Sequence, residues 1–111
     1  MVNRQTVAQA YNKFKVIGFS VATTDGTSTA VVTASTIVGV GAKTIRSIHL
    51  KCTGDDAYLG LGVTATTTPG EDIIPLIQDA HFNWENCAYE SLNVIRASTN
   101  NITVKGFVVV N

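Results

Sequence analysis

Apolar residues occupy every second position in several short stretches of this 111-residue chain. The alternation is most regular over residues 57–64, where Tyr, Gly and Thr fill the positions between the apolar ones, and it recurs over residues 102–110. Because successive side chains of a β-strand point to opposite faces, this pattern predicts strands that are buried on one side. Thr and Val are the two commonest residue types, and both are β-branched, which favours sheet over helix.

About eight such stretches follow one another at a spacing of roughly ten residues. Turn residues separate them, and the first turn, at residues 24–27, predicts a tight hairpin. This arrangement predicts an all-β fold of about eight antiparallel strands in a sandwich, a jelly roll or a small barrel. The predicted strands cover residues 17–21, 30–34, 44–50, 57–64, 72–77, 80–84, 89–97 and 102–110.

Details of the pattern also predict local geometry. Gly60 and Gly62 share the face of Tyr58, which predicts that a neighbouring strand or chain lies very close to that face. Pro75 cannot donate a hydrogen bond to a sheet, so residues 72–77 are predicted to form an edge strand or a buried loop. The alternation over residues 44–50 and 89–97 is imperfect, which is typical of a β-bulge.

The N-terminal residues show a different spacing. Val7, Tyr11 and Phe14 fall at positions i, i+4 and i+7, which one or two amphipathic helical turns or an extended arm would explain equally well. We favour a short arm over residues 1–14 that contacts a neighbouring subunit. Residues 15–111 are then predicted to form a single β domain, because the chain is too short for two ordinary cores.

The charge content excludes several classes of protein. Only 14% of the residues are charged, and eight Lys and Arg balance eight Asp and Glu. A nucleic-acid binder needs a basic face and a peripheral membrane protein needs a polybasic anchor, so neither partner is expected. No signal peptide or membrane span is predicted, so synthesis in the cytoplasm is expected. A surface so poor in charge suggests that partner proteins cover much of it.

The two cysteines, Cys52 and Cys87, allow one disulfide at most. Buried free thiols are the favoured interpretation for a cytoplasmic chain, and a cross-strand disulfide is the alternative. Together with His49 and His81 they form a possible zinc ligand set. Structural zinc sites carry closely spaced ligand pairs, which are absent here, so isolated side chains are favoured.

No pattern in the chain predicts catalysis. A Gly-x-Ser-x-Gly motif and a phosphate-binding glycine loop are both absent, and the carboxylate pairs Asp55-Asp56 and Glu71-Asp72 lie in predicted turns. We therefore predict that the protein is not an enzyme and has no catalytic residues, cofactor or metal. Tyr58, Trp84 and Tyr89 are a possible sugar-stacking platform, although such residues more often belong to a core or an interface. The predicted interface residues are Val7, Tyr11, Phe14, Tyr58 and Trp84.

Residues 43–110 combine a glycine-dotted strand, Ala57-Tyr58-Leu59-Gly60-Leu61-Gly62, with a Pro69-Gly70-Glu71 turn and two closing strands rich in Val and Ile. This layout resembles that of small all-β structural proteins of tailed bacteriophages, which include head-decoration (cement) proteins and small tail or fibre modules. The resemblance concerns architecture and turn chemistry, and it transfers no functional residue because such proteins have no active site.

The resemblance implies a virion structural protein, with a capsid decoration protein as the leading hypothesis. Such a protein would bind the major capsid protein or other virion subunits and stabilise the assembled head on the capsid surface after synthesis in the host cytoplasm. A homo-oligomer is expected, and a trimer is favoured because shells have local three-fold positions. The alternative is a carbohydrate-binding or adaptor module of a phage tail or fibre.

Overall fold

The computed structural model describes residues 14–111, which form eight β-strands and one short helix. The all-β prediction is confirmed. Each strand corresponds to one of the predicted stretches, although several boundaries differ. The elements are β1 (Lys15–Thr23), β2 (Thr29–Val32), α1 (Ala34–Gly39), β3 (Ile45–Thr53), β4 (Ala57–Leu61), β5 (Ile73–Leu76), β6 (His81–Tyr89), β7 (Leu92–Arg96) and β8 (Ile102–Val110).

The strands form two four-stranded antiparallel sheets that pack face to face. Sheet A has the order β1-β8-β3-β6, and sheet B has the order β2-β7-β4-β5. The first strand therefore pairs with the last, the second with the seventh, the third with the sixth and the fourth with the fifth. This nested pairing is the jelly-roll order. Of the predicted arrangements, the chain adopts the two-sheet sandwich with jelly-roll connections.

The alternation of β8 sets the position of the core. The alternation over residues 102–110 predicts one buried face, and Ile102, Val104, Val108 and Val110 of that face are all buried between the sheets. In β4 the predicted inward residues Ala57, Leu59 and Leu61 are likewise buried.

The predicted continuation of β4 to residue 64 is wrong. The strand ends at Leu61, because Gly62 adopts a left-handed conformation with φ of 72° and turns the chain. Val63 is consequently 37% exposed instead of facing the core.

The chain segment that follows Gly62 explains why Gly60 has no side chain. A Cβ atom at Gly60 would meet the Val63 carbonyl oxygen, and it would lie 3.0 Å from the Ala65 backbone nitrogen. The loop is held there because the Asn93 side-chain amide donates to the Val63 carbonyl at 2.8 Å. A close neighbour was predicted for this face, and it is the chain's own loop.

The turn at residues 24–27 joins strands of different sheets. Asp25 accepts hydrogen bonds from the Thr27 backbone nitrogen at 3.0 Å and from the Thr27 hydroxyl at 2.6 Å, so the predicted tight turn is present. The predicted hairpin is wrong, because β1 pairs with β8 in sheet A while β2 pairs with β7 in sheet B. Turn residues specify a reversal of the chain, and they do not specify which sheet receives the next strand.

Two further boundaries differ from the prediction. Tyr89 ends β6 instead of beginning β7, so β6 is nine residues long rather than five. The connection from β2 to β3 contains α1, which no sequence pattern predicted. This helix of six residues is too short for a repeating pattern; it begins after Thr33, whose hydroxyl accepts from the Thr36 backbone nitrogen, and it buries only Ile37.

Other predicted details are confirmed. The segment with Pro75 forms β5, at the edge of sheet B. Register shifts occur in the β3 pairings between Ile45 and Ser47, where a bulge was predicted.

Candidate functional site

The outer face of sheet A is the surface on which chemically distinctive side chains come together. Ile48, Leu50 and Cys52 of β3 point into the core, so the residues between them point outward. Residues directly opposite one another in an antiparallel pair lie on the same face, which extends this assignment to the neighbouring strands. The outward residues at the centre of the face are Gly18, Ser20, His49, Lys51, His81, Asn83, Lys105 and Phe107.

Phe107, His49 and Asn83 form a row across β8, β3 and β6, which we call the aromatic row. The rings of His49 and Phe107 are stacked, with centroids 4.7 Å apart and planes inclined by 22°. The Nδ1 atom of His49 lies 2.8 Å from the Asn83 Oδ1 atom, so the tautomer with hydrogen on Nδ1 donates to the amide. These contacts hold the imidazole in one orientation and leave Phe107 41% exposed.

Lys105, Lys51 and His81 form the adjacent row, which we call the basic row. Lys51 lies directly opposite Lys105 on one side and His81 on the other. Ser20 is opposite Lys105 on β1, so none of the directly opposed residues carries a carboxylate. Like charges placed opposite one another destabilise a sheet, and a bound negative group would relieve the repulsion.

A shallow pocket of about 300 Å³ lies between the two rows. Gly106 and Leu50 contribute to its lining together with the residues of both rows. A depression with two lysines, two histidines and an amide beside one aromatic ring suits a carboxylate, a sulfate or another anionic group.

An apolar strip borders the pocket on the side of β1. Val16 is 65% exposed and lies opposite Val109, while Gly18 lies opposite Phe107. Phe14, which precedes β1 and follows the same alternation, is 47% exposed. The outer face of sheet A therefore combines an exposed apolar strip with an adjacent basic row, a combination typical of interfaces between proteins.

The predicted interface residues occupy different places. Val7 and Tyr11 lie outside the described residues, and Phe14 stands at the end of the apolar strip. Tyr58 lies on the outer face of sheet B, half-buried between its opposite residues on β5 and β7. Trp84 lies opposite Ile48 at the edge of sheet A, is 36% exposed, and has its ring 6.0 Å from that of Phe82.

The possible sugar platform is not assembled on one surface. Tyr58 belongs to sheet B, whereas Trp84 and Tyr89 belong to the edge strand of sheet A. Tyr89 packs against the core, where burial raises the pKa of its hydroxyl. Phe107, which was not among the predicted platform residues, lines the pocket beside polar groups.

The possible zinc ligands are also separated. His49 and His81 point outward on sheet A, whereas Cys52 and Cys87 are buried. The Cys87 thiol donates to the carbonyl of Ile45, at the other end of β3 from Cys52. Ile45 and Cys52 are seven residues apart, which corresponds to about 23 Å along the strand. This distance excludes an intramolecular disulfide, and both thiols are free. Within residues 14–111, no three His, Cys, Asp or Glu side chains converge on a point where a metal ion would bind.

The predicted turn carboxylates hold turns in place. Asp55 accepts from the Ser98 hydroxyl at 2.7 Å and from the Asn100 amide at 2.9 Å. Asp56 accepts from the backbone nitrogen of Gln78 at 2.7 Å. These carboxylates therefore join the β3–β4 turn to two other connections of the chain.

Sequence reasoning singled out His49 and His81, as possible zinc ligands, and missed the other residues of both rows. The alternation in β3 and β8 already places His49, Lys51, Lys105 and Phe107 away from the core. The alternation does not show that β3 lies between β8 and β6, because the paired residues are thirty or more positions apart in the sequence.

No family model, curated protein or solved structure matches this chain. Among residues 14–111, no helix has the length and apolar character required to cross a bilayer. Indications of function therefore come from the chain's own surfaces.

Proposed function

We propose that the chain is a structural subunit of a virus particle, namely a capsid decoration protein that binds the assembled shell. The observation that carries this proposal is the outer face of sheet A, where the exposed residues Val16 and Phe107 adjoin the basic row. Such a face suits a partner surface that presents apolar side chains beside acidic ones. The role requires no catalytic chemistry and no cofactor.

The jelly-roll order supports the proposal by analogy, because viral capsid domains commonly use it; lectin domains use it as well. The rigid two-sheet core holds the outer face in shape without a partner, so little conformational entropy is lost on binding. A protein that binds only the assembled shell stabilises that state by mass action.

Co-sedimentation tests the proposal. The untagged chain is followed by mass spectrometry in a sucrose gradient of extract from the cells that encode it, where we expect it to sediment with assembled particles in a fixed ratio. Recovery only at the size of the free chain would contradict the proposal.

Charge reversal tests the surface itself. With Lys51→Glu and Lys105→Glu together, we expect the affinity for particles to fall by about tenfold or more, because the basic row then repels an acidic partner. Lys43→Glu, an exposed site in the loop before β3, is the matched control and is expected to leave attachment unchanged.

Deleting residues 1–14 is expected to weaken attachment while the β domain still folds, and undiminished attachment would contradict a role for the arm.

A second candidate function is binding of a carbohydrate by a tail or fibre module. The pocket favours it, since an aromatic ring beside an amide and cationic groups suits an acidic sugar. Saturation-transfer NMR with sialylated and uronic-acid glycans tests it. Signal transfer that Asn83→Ala abolishes would support this function over shell binding, and its absence from all such glycans would contradict it.

A further inference from the structure

Three of the four edge strands carry features that discourage pairing with another chain. β2 and β5 are only four residues long, and β5 contains Pro75, which cannot donate to a neighbouring strand. β6 carries Glu85, is interrupted by a register shift, and contains Asn86 in a left-handed conformation with φ of 56°. Short edges, prolines, charges and bulges are the devices by which sheets avoid edge-to-edge association.

The fourth edge, β1, has none of these protections. It runs for nine residues in unbroken register with β8. Its only charged residue is Lys15 at its first position, and it contains no proline. Within residues 14–111, no strand pairs with its side away from β8, so among these residues the backbone groups on that side of a regular, largely apolar strand have no strand partner.

We infer that β1 pairs with β1 of a second copy of the chain, antiparallel, with Phe19 at the two-fold axis. This is the one antiparallel register in which all nine residues find an opposite residue. It sets Ile17 against Val21 on the core side and Gly18 against Ser20 on the outer side. The two sheets A then join into one continuous eight-stranded sheet.

Charge and side-chain pattern favour a second copy over an unrelated strand. In the antiparallel register each Lys15 faces Thr23, and the two lysines lie about 27 Å apart. A parallel pairing would instead bring them together. The central core-side pairs, Ile17 with Val21 and Phe19 with Phe19, are apolar and bury side chains that are only half-buried in one copy, and the Lys15–Thr23 pairs lie at the two ends of the joined strands. The outer-side pairs are small and uncharged, so the strands meet without a clash.

The pairing of the two β1 strands also determines how the outer faces of sheet A from the two copies are arranged. A two-fold axis perpendicular to the sheet keeps both outer faces on the same side. The two basic rows then lie on one surface, related by the axis at the joined β1 strands. The dimer differs from the trimer that the resemblance to phage proteins implies.

Sedimentation equilibrium on the full chain tests the inference without any partner. We expect a monomer–dimer equilibrium, and Ser20→Lys is expected to raise its dissociation constant by about tenfold, because each copy then places a lysine at the new strand pair. Thr53→Lys adds the same charge on the outer face of the same sheet, on the interior strand β3, and is expected to leave the constant unchanged. Circular dichroism verifies that both variants fold.

Cysteine cross-linking tests the register. In a variant with both Gly18→Cys and Ser20→Cys, each new thiol faces one in the partner, so mild oxidation is expected to give a covalent dimer. The control variant with both Ser20→Cys and Ala22→Cys places no two thiols opposite one another and is expected to give little covalent dimer. A monomeric wild type, a trimer, equal constants for the two lysine variants, or equal cross-linking of the two cysteine pairs would each overturn the inference. None of these outcomes bears on particle binding, so the inference and the proposed function fail separately.

Discussion

Two glycines of sheet A show how much one side chain matters at a given position. Gly106 lies on β8 opposite Leu50, and a Cβ atom there would meet the His49 carbonyl oxygen and lie 2.7 Å from the Leu50 Cα atom. Gly18 lies on the neighbouring strand, where a Cβ atom would come no closer than 3.9 Å to the backbone of Gly106. The first glycine is required for the close approach of β3 and β8, and the second is not.

Gly106→Ala is therefore expected to lower the free energy of unfolding by about 2–4 kcal/mol, because the two strands must separate to admit the methyl group. Gly18→Ala introduces the same group on the same sheet and is expected to be neutral or slightly stabilising, since alanine loses less backbone entropy on folding. Urea unfolding of both variants measures the difference. Equal stabilities would contradict the contact geometry at Gly106.

At the scale of elements, side-chain bonds between turns hold the two sheets in their relative positions. The β3–β4 turn passes from sheet A to sheet B, and Asp55 in this turn bonds to Ser98 and Asn100 in the β7–β8 turn, which makes the opposite passage. The hydrogen bonds from Ser98 and Asn100 hold the pKa of the Asp55 carboxyl below its usual value of 3.8. The link between the turns is therefore strongest when the carboxylate is charged.

This link predicts a pH dependence of stability. Because the folded state depresses the pKa, the contribution of Asp55 is complete at neutral pH and falls as the pH drops below 3.8 and through the folded pKa. Asp55→Asn is expected to be less stable than wild type at pH 7, with the gap closing on acidification. Thermal unfolding from pH 7 to pH 2.5 measures the gap. Glu71→Gln, in another turn, is the control, and a gap independent of pH would contradict the role of the charge.

At the scale of the whole molecule, the core extends along the full length of β3 and isolates the two thiols from each other and from solvent. Cys52 and Cys87 are both buried, and burial raises the pKa of Cys52 to about 11, with a further contribution from Asp56. Burial also raises the pKa of Cys87. Thiols in this state are poor nucleophiles at neutral pH.

Both cysteines are therefore expected to react with a disulfide reagent such as DTNB only as fast as the fold opens. At pH 8 we expect less than about a tenth of the thiols to react in the time that the urea-unfolded chain needs for completion. The unfolded chain serves as the control. Rapid labelling of one thiol in the native protein would contradict the burial of that residue, and an intramolecular disulfide in the folded chain would contradict the separation along β3.

The alternation of side chains was sufficient to predict the fold class, the number of strands and the buried face of β8. These properties can be predicted from neighbouring residues alone, because side chains along a strand point alternately to its two faces. The same local logic limited the Pro75 segment to an edge strand or a buried loop, of which the structure has the edge strand β5, and it assigned Asp55 and Asp56 to a turn.

The tertiary structure alone decided which strands are neighbours. The turn at residues 24–27 has the same residues whether it closes a hairpin or crosses between sheets, and burial of the whole core selects between the two. Only the pairing of β3 with β8 and β6 brings Lys51, Lys105 and His81 into one row. Such long-range pairing is set by the summed burial of distant segments, which no local pattern encodes. The sequence by itself therefore determined the strands and their faces, and the tertiary structure decided the surface on which the proposed function depends.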